Sequence, residues 1–281
     1  MDRKLRIFVT GATGFIGSHF VNHALSAGHE VVALRRSAES MPRIVLVREP
    51  KWLTSSIKLI TERDLAEVNV VVHLAAAGIS PRTGTWDELL EWNVVATAKL
   101  LLTAASARVR RFVATGSCLE YGRAAERYDF IPPDAPLEPT GAYAASKATG
   151  GMLLRSIAVE KNLELSYLRL FSVFGQGQHE SNLWPLIRRA ALAGDDLPLT
   201  PGEQVRDFIP VEQVAVELLS AVSDEEIEPG VPRVRNVGTG RPQTVRQFAE
   251  HWWHEFCAQG KLLVGALPYR SDEVMRYVPQ L

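Results

Sequence analysis

Leu5-Arg6-Ile7-Phe8-Val9-Thr10-Gly11-Ala12-Thr13-Gly14-Phe15-Ile16-Gly17 is the stretch on which the fold turns. Ile7 to Thr10 is a short β-rich run, and Phe15 to Ala27 carries a helical pattern. Between them stands Gly-x-x-Gly-x-x-Gly. In a strand–turn–helix, the first glycine permits the tight turn and the second lets backbone approach a pyrophosphate. The third lets the helix pack close on the sheet. The phosphates then rest on the positive N-terminal end of the helix. Gly11, Thr13, Gly14, Phe15, Ile16 and Gly17 are therefore expected to bind a dinucleotide; an ordinary turn is the alternative.

Outward from that turn, short apolar runs recur at Val31–Leu34, Val70–Leu74, Phe112–Thr115 and Leu165–Leu170. Helical patterns alternate with them, and the last run follows a helix that contains Lys147 to Lys161. Continuous apolar strands alternating with helices predict an α/β fold, a doubly wound parallel sheet of the Rossmann type. After about Gly175 the pattern changes. Pro185, Pro198, Pro201, Gly202, Pro210, Pro229, Gly230 and Pro232 crowd the chain, and helices Leu183–Ala193, Val211–Val222 and Val245–Gln259 are joined by long connections. The division expected is 1–175 for the dinucleotide domain and 176–281 for a smaller C-terminal α/β substrate lobe, with the chain crossing back near 211–240.

Composition narrows the class. Of 281 residues, 46% are hydrophobic and 22% charged, which excludes a disordered chain. Lys plus Arg number 31 against 32 Asp plus Glu, a net charge of −1, so nothing draws the chain to nucleic acid or an anionic membrane. Two cysteines far apart, Cys118 and Cys257, exclude a disulfide scaffold and point to a reducing cytoplasm. No apolar run is long enough to span a bilayer, and the N-terminus enters a strand without a signal-like apolar region.

The second strand ends at Arg35-Arg36-Ser37, where an NAD site usually carries an acid for the ribose hydroxyls. Arginine there accommodates a 2′-phosphate, so NADP(H) is expected, with NAD possible and a solvated pair the bland alternative. Asp64-Leu65, before the next strand, is expected to meet the adenine. Tyr143 and Lys147 stand at i and i+4 at the start of a helix, on one face. The ammonium should favour the tyrosinate and lower the phenol pKa, so that Tyr143 exchanges a proton with a carbonyl or carbinol oxygen.

With those residues in place, the chain resembles an extended short-chain dehydrogenase/reductase of the NAD-dependent epimerase/dehydratase family, which acts on nucleotide sugars. The matching stretches are TGATGFIGSHF, VVHLAA, ATGSCLEYG, AYAASK, LRLFSVFGQGQ, RDFIPVEQVA and NVGTG, in order along nearly the whole chain. The resemblance implies that Ser117 joins Tyr143 and Lys147 in catalysis, bonding the reacting sugar oxygen. It places Leu74, Ala75, Ala76 and Thr115 against the cofactor. Asn93 matches a position that shapes the active-site helix and supports a proton relay through Lys147. On the substrate side it implies Ser80, Ser117, Cys118, Ser172, Asn182, Leu183, Leu199, Arg206 and Arg270. Ser172 and Phe174 depart from the family's Asn and Tyr. It also implies a homodimer through helices from segments 86–107 and 147–161.

One departure bears on the reaction. In the dehydratase branch an Asp-Glu pair follows the serine or threonine; here Cys118 and Leu119 stand there. Leucine offers neither acid nor base, so elimination of water is not expected. The expected activity is reduction of a nucleoside-diphosphate 4-keto-6-deoxyhexose. Its alternatives are a nucleotide-sugar 4-epimerase with tightly bound NAD, a reductase of non-sugar carbonyls, and a non-catalytic cofactor-sensing module. No metal is expected. His251, His254 and Cys257 at i, i+3 and i+6 do not converge, and His19 and His23 lack a third ligand. Arg108, Arg110 and Arg111 read as a solvated cluster.

Overall fold

The computed structural model describes residues 4–79, 83–271 and 273–281. Its elements run β1 (Arg6–Thr10), α1 (Phe15–Ser26), β2 (Glu30–Arg35), β3 (Lys51–Thr54), β4 (Val70–His73), α2 (Trp86–Leu89), a π-helical stretch Leu90–Ala96, α3 (Thr97–Ser106), β5 (Arg111–Ser117), α4 (Ala142–Glu160) and β6 (Glu164–Leu170). They continue through β7 (Ser172–Phe174), α5 (Leu183–Ala193), β8 (Leu197–Leu199), β9 (Val205–Pro210), α6 (Val211–Ser223), β10 (Arg233–Val237), β11 (Pro242–Thr244), α7 (Val245–Glu255), β12 (Leu262–Val264) and β13 (Arg276–Tyr277).

Seven parallel strands form the main sheet in the order β10-β6-β5-β4-β1-β2-β3. The order reverses between β1 and β4. In an open parallel sheet, the crevice beyond the carboxyl ends at such a reversal is where a ligand binds. Residues of β1 alternate between two cores. Ile7 and Val9 face α1 and α6, with Phe20, Val21, Ala24, Val214 and Leu218. Phe8 faces α3 and α4, with Leu100, Leu101, Leu154 and Ala158. Both faces of the strand are thus apolar, which is why the runs read as continuous rather than alternating.

The chain leaves the sheet after β6 and returns to it: α6 packs on α1, and β10 extends the sheet beside β6. Between and beyond these lies the smaller lobe. There β9 pairs with β7, β11 and β13, β8 pairs with β12, and α5 packs on α7. Its core is aromatic. Phe208 stacks on Phe248 at 3.8 Å, and Phe174, Trp184, Trp252 and Phe256 close around them edge to face. No helix of the described residues is long and apolar enough to cross a membrane.

Three features differ from the sequence reading. Strands β3 and β10 are edge strands whose Lys51, Arg233 and Arg235 break the apolar run, so neither stood out. Helix α7 ends at Glu255, because Cys257 turns left-handed at φ 52°. Arg111 is not solvated. It is 3% exposed, pairs with Glu164 at 2.8 Å, and donates to the carbonyls of Ala221, Val222 and Asp224. It thereby caps the C-terminal end of α6, where unpaired carbonyls and the helix dipole favour a cation.

Candidate active site

The glycine turn joins β1 to α1 at the sheet's reversal. Gly11 has φ +69°, and a Cβ there would sit 2.7 Å from the backbone of Leu74 and Ala75 after β4. A Cβ on Gly17 would overlap the Gly11 carbonyl oxygen. Gly14 N-caps α1 in extended conformation; no side chain caps the helix and no acid stands in its first turn. Those first amides suit a pyrophosphate. The chain therefore fits a dinucleotide at this turn.

Behind the turn, a directional hydrogen-bond chain fixes the loop after β4. The Thr97 hydroxyl donates to the Trp92 carbonyl at 3.0 Å, five residues back across the π-helical stretch. Its oxygen must then accept from His73 Nε2–H, at 2.9 Å. His73 Nδ1 is left as acceptor for the Thr10 hydroxyl, at 2.7 Å, and Thr10 Oγ1 accepts from Ala75 N–H at 3.3 Å. Burial, with Lys147 adding to it, holds the His73 pKa down to about 3, so the ring is neutral. Asn93 extends the scaffold from the π stretch. It accepts from Ala77 N and donates to Ala77 O and to Ser146 Oγ, and Ser146 donates to the Tyr143 carbonyl. These bonds join the Leu74–Gly78 loop to α4, reaching Lys147 only through that helix.

Helix α4, N-capped by Gly141, presents Tyr143 and Lys147 one turn apart. Lys147 is buried, and Nζ donates to the Thr115 carbonyl of β5 at 2.7 Å. Burial lowers its pKa, opposed by the Glu120 carboxylate. Tyr143 corrects an expectation. Its phenol is raised, not lowered: burial dominates, and Glu120 and Cys118 add to it. The Lys147 ammonium is directed to Thr115, and the strongest charge felt by the phenol is an anion. The chain's own groups thus keep Tyr143 protonated, as a proton donor requires.

Ser117 ends β5 and caps the short 3₁₀ turn Cys118–Tyr121. Its Oγ accepts from Leu119 N, and its own N–H donates to Glu120 Oε1 at 2.8 Å. The capping box turns Cys118 inward and leaves Leu119 41% exposed. Burial pushes the Cys118 thiol up to about 12, so it is protonated near neutral pH.

The remaining expected contacts are placed as follows. Arg35 is engaged: Nε donates to Thr54, Nη1 donates to the Ala38 carbonyl, and the guanidinium lies 5.1 Å from the Trp52 ring. Arg36 is exposed beside it. Asp64 accepts from Thr61 N and Oγ1 at 2.8 and 2.7 Å, closing its own turn. Leu65 is fully buried in the α3–α4 core, so its side chain does not face an adenine. Ser172 lies half-buried on β7, Leu199 is buried at the end of β8, and Asn182 and Leu183 open α5. Arg206 on β9 is held by Glu273 at 2.6 Å and the Val274 carbonyl at 2.8 Å, 5.2 Å from the Tyr277 ring. Arg270 is exposed, and Ser80 lies outside the described residues. Sequence reasoning missed Glu120, Tyr167, Arg169, His73 and Glu273. The signal for Glu120 and Arg169 was a charge inside apolar context, in LEY and LRL. Among the described residues no group of three His, Cys, Asp or Glu could hold a metal ion.

Similarity to known proteins identifies the family. A family model described as the NAD dependent epimerase/dehydratase family matches residues 7–238. The chain is 25% identical to a CDP-abequose synthase of Salmonella muenchen, over 98% of this chain and 89% of that one. It is 31% identical to a UDP-glucose 4-epimerase of Haemophilus influenzae, over 86% of this chain and 80% of that one. The solved structure of MoeE5 in complex with UDP-glucuronic acid and NAD superposes with TM-score 0.84 at 26% identity, covering 98% of this chain and 90% of that one. The chain belongs to the NAD dependent epimerase/dehydratase family of nucleotide-sugar enzymes.

Proposed function

We propose that this family member uses NADPH to reduce the 4-keto group of a nucleoside-diphosphate 4-keto-6-deoxyhexose, with Tyr143 as proton donor. The observation that carries this is the pair after Ser117. Elimination of water needs an acid for the departing hydroxyl and a base for a carbon-bound proton. Leu119 is neither, and the Cys118 thiol, pushed up to about 12, is a poor base near neutral pH. Reduction asks less of the chain. When bound, the nicotinamide supplies the hydride. Ser117 Oγ orients the carbonyl oxygen and Tyr143 delivers the proton to it, while Lys147, one turn on along α4, is anchored on the Thr115 carbonyl. Arg206, once released from Glu273, is suited to the diphosphate oxygens. The choice of NADPH is supported by Arg36, whose guanidinium is exposed beside Arg35 at the end of β2.

A second reading, a 4-epimerase with tightly retained NAD, is favoured by the 31% identity to a UDP-glucose 4-epimerase. The test is to mix purified protein with NADPH and a dTDP- or CDP-linked 4-keto-6-deoxyhexose and follow absorbance and product. One NADPH consumed per sugar supports reduction. Interconversion of C4 epimers without added cofactor refutes it. We also propose a homodimer, because Leu90, Val95 and Leu102 on the α2–α3 segment and Met152, Leu153 and Val159 on α4 are exposed apolar side chains. A monomer in sedimentation equilibrium at micromolar concentration would refute that.

A further inference from the structure

Glu120 is a carboxylate with no solvent exposure, one turn from the reacting groups. An isolated buried carboxylate is expensive, so its partners matter. Oε2 accepts from Arg169 Nε at 2.8 Å. Oε1 accepts from Ser117 N–H and from the Tyr167 hydroxyl, both at 2.8 Å. Tyr167 lies 3.2 Å from the carbonyl of Lys147 itself. Arg169 goes on to donate to the Tyr121 hydroxyl and the Pro133 carbonyl, and Tyr121 donates to Asn236 of β10. The space is closed around this cluster: a Cβ on Gly116 would lie 2.5 Å from Glu120 Oε1, and one on Gly151 2.6 Å from the Tyr167 hydroxyl. One carboxylate therefore touches both halves of the site, the Ser117 main chain on β5 and, through Tyr167, the helix that carries Tyr143 and Lys147.

We propose that Glu120 is a positioning residue: held by Arg169 and Tyr167, its buried charge locks Ser117 in register with α4 and sets the electrostatic field in which Tyr143 gives up its proton. The groups facing it are Tyr167 and Arg169 from β6, Lys147 and Tyr143 from α4, and Cys118 and Tyr121 from its own turn. Its anion opposes phenolate formation at Tyr143 and favours the Lys147 ammonium. Neutralising it therefore makes both groups easier to deprotonate. The proposal deepens the reductase reading and rests on it only for the direction of proton transfer.

The test begins with Glu120→Gln, which keeps the size and an acceptor oxygen and removes the charge. Protein labelled with ¹³Cζ-tyrosine is titrated in saturating NADP⁺, and the Tyr143 signal is assigned by its loss in Tyr143→Phe. Tyr143 should ionise at a pH lower by about one unit, a tenfold gain in acidity. The alkaline limb of kcat/KM for reduction should move the same way. Overlapping titration curves for folded variant and wild type overturn the proposal. The titration needs no sugar, so it reads Glu120 even if the chain reduces no keto sugar. Because Glu120→Gln leaves Arg169 unpaired, Tyr167→Phe is the companion variant; it keeps the ion pair and cuts the link to α4. It should lower kcat about 10- to 100-fold with KM and cofactor Kd unchanged. Wild-type kcat in Tyr167→Phe also overturns the proposal.

Discussion

His73 offers a sharp test of the scaffold behind the cofactor loop. Its ring is buried between Thr10 and Thr97, and its folded pKa is about 3 against an ordinary 6.5. The folded state thus holds a neutral imidazole where the unfolded chain takes up a proton. The sign follows from linkage. The contribution is complete above pH 6.5 and is lost as pH falls toward 3, at about 1.4 kcal/mol per pH unit. At pH 4.5 the wild type should have lost about 2–3 kcal/mol through this ring. In His73→Gln the group no longer titrates, and one buried hydrogen bond goes unmade, at a fixed cost of about 1–3 kcal/mol. The assay is urea unfolding of both proteins at pH 8 and at pH 4.5. Wild type should be the more stable at pH 8, and the gap should close or reverse at pH 4.5. Every other ionisable group is common to both proteins, so the difference isolates His73. A gap of constant size across the range would show that the ring is not held neutral, and the hydrogen-bond direction deduced from Thr97 would be wrong.

Other outcomes follow from the same geometry. Tyr143→Phe should lower kcat by about 10²- to 10⁴-fold while leaving the Kd for NADPH unchanged, because only the phenol proton is lost; near wild-type turnover would place the proton donor elsewhere. Arg36→Asp should shift the ratio of NADPH to NADH affinity by about 10- to 100-fold, the worth of a charge-assisted hydrogen bond. Arg35→Asp should shift it less, since Arg35 is already committed to Thr54 and Trp52; equal affinities in wild type for the two cofactors would remove the assignment. Arg111→Met should destabilise the protein by about 3–5 kcal/mol in urea, because Glu164 is left buried with less compensation and the α6 carbonyls lose their cap. Adding Glu164→Gln should restore part of the loss, and a stable single variant would contradict the buried pairing.

The sheet was legible because its central strands are buried on both faces. Nothing but apolar residues fits at Ile7, Phe8, Val70, Val71, Phe112 and Leu165, so the runs stand out without any contact information. The edges were not, since β3 and β10 satisfy one side with Lys51, Arg233 and Arg235 and look like loops. Within the site, the glycine turn, Tyr143 and Lys147 were visible because short-range spacing alone brings them into play, whereas Ser117 entered only through the family resemblance. What stayed hidden was long-range: the sequence separates Glu120 from Arg169, His73 from Thr10, and Arg206 from Glu273. A charge in an apolar run signals a buried partner without saying which one. The phenol's shift was misread for the same reason: burial, which dominates it, and the Glu120 carboxylate both come from the tertiary fold, whereas Lys147 was the neighbour the spacing revealed.

The two hidden networks also bear on why the residues after Ser117 can vary without loss of the site. The Ser117 backbone is held by Glu120 three residues on, and Glu120 is held from behind by β6. The cofactor loop is held by Thr10, His73 and Asn93 on the opposite side. Neither network uses the side chain of Leu119, and Cys118 enters the frame mainly through its burial. A carboxylate or a leucine at 119 therefore meets the same anchored turn, with its side chain directed toward solvent. Rigid support from paired, buried polar groups keeps Tyr143 and Ser117 in register, and on the proposed reading the chemistry beyond proton and hydride transfer is decided at Cys118, which the frame uses mainly through its burial, and Leu119, which it does not use. Leu119→Glu should therefore fold like wild type and match wild type in the proposed keto-sugar reduction, because a lone carboxylate at 119 supplies only half of the acid–base pair that elimination requires; loss of fold in that variant would show that Leu119 belongs to the frame after all.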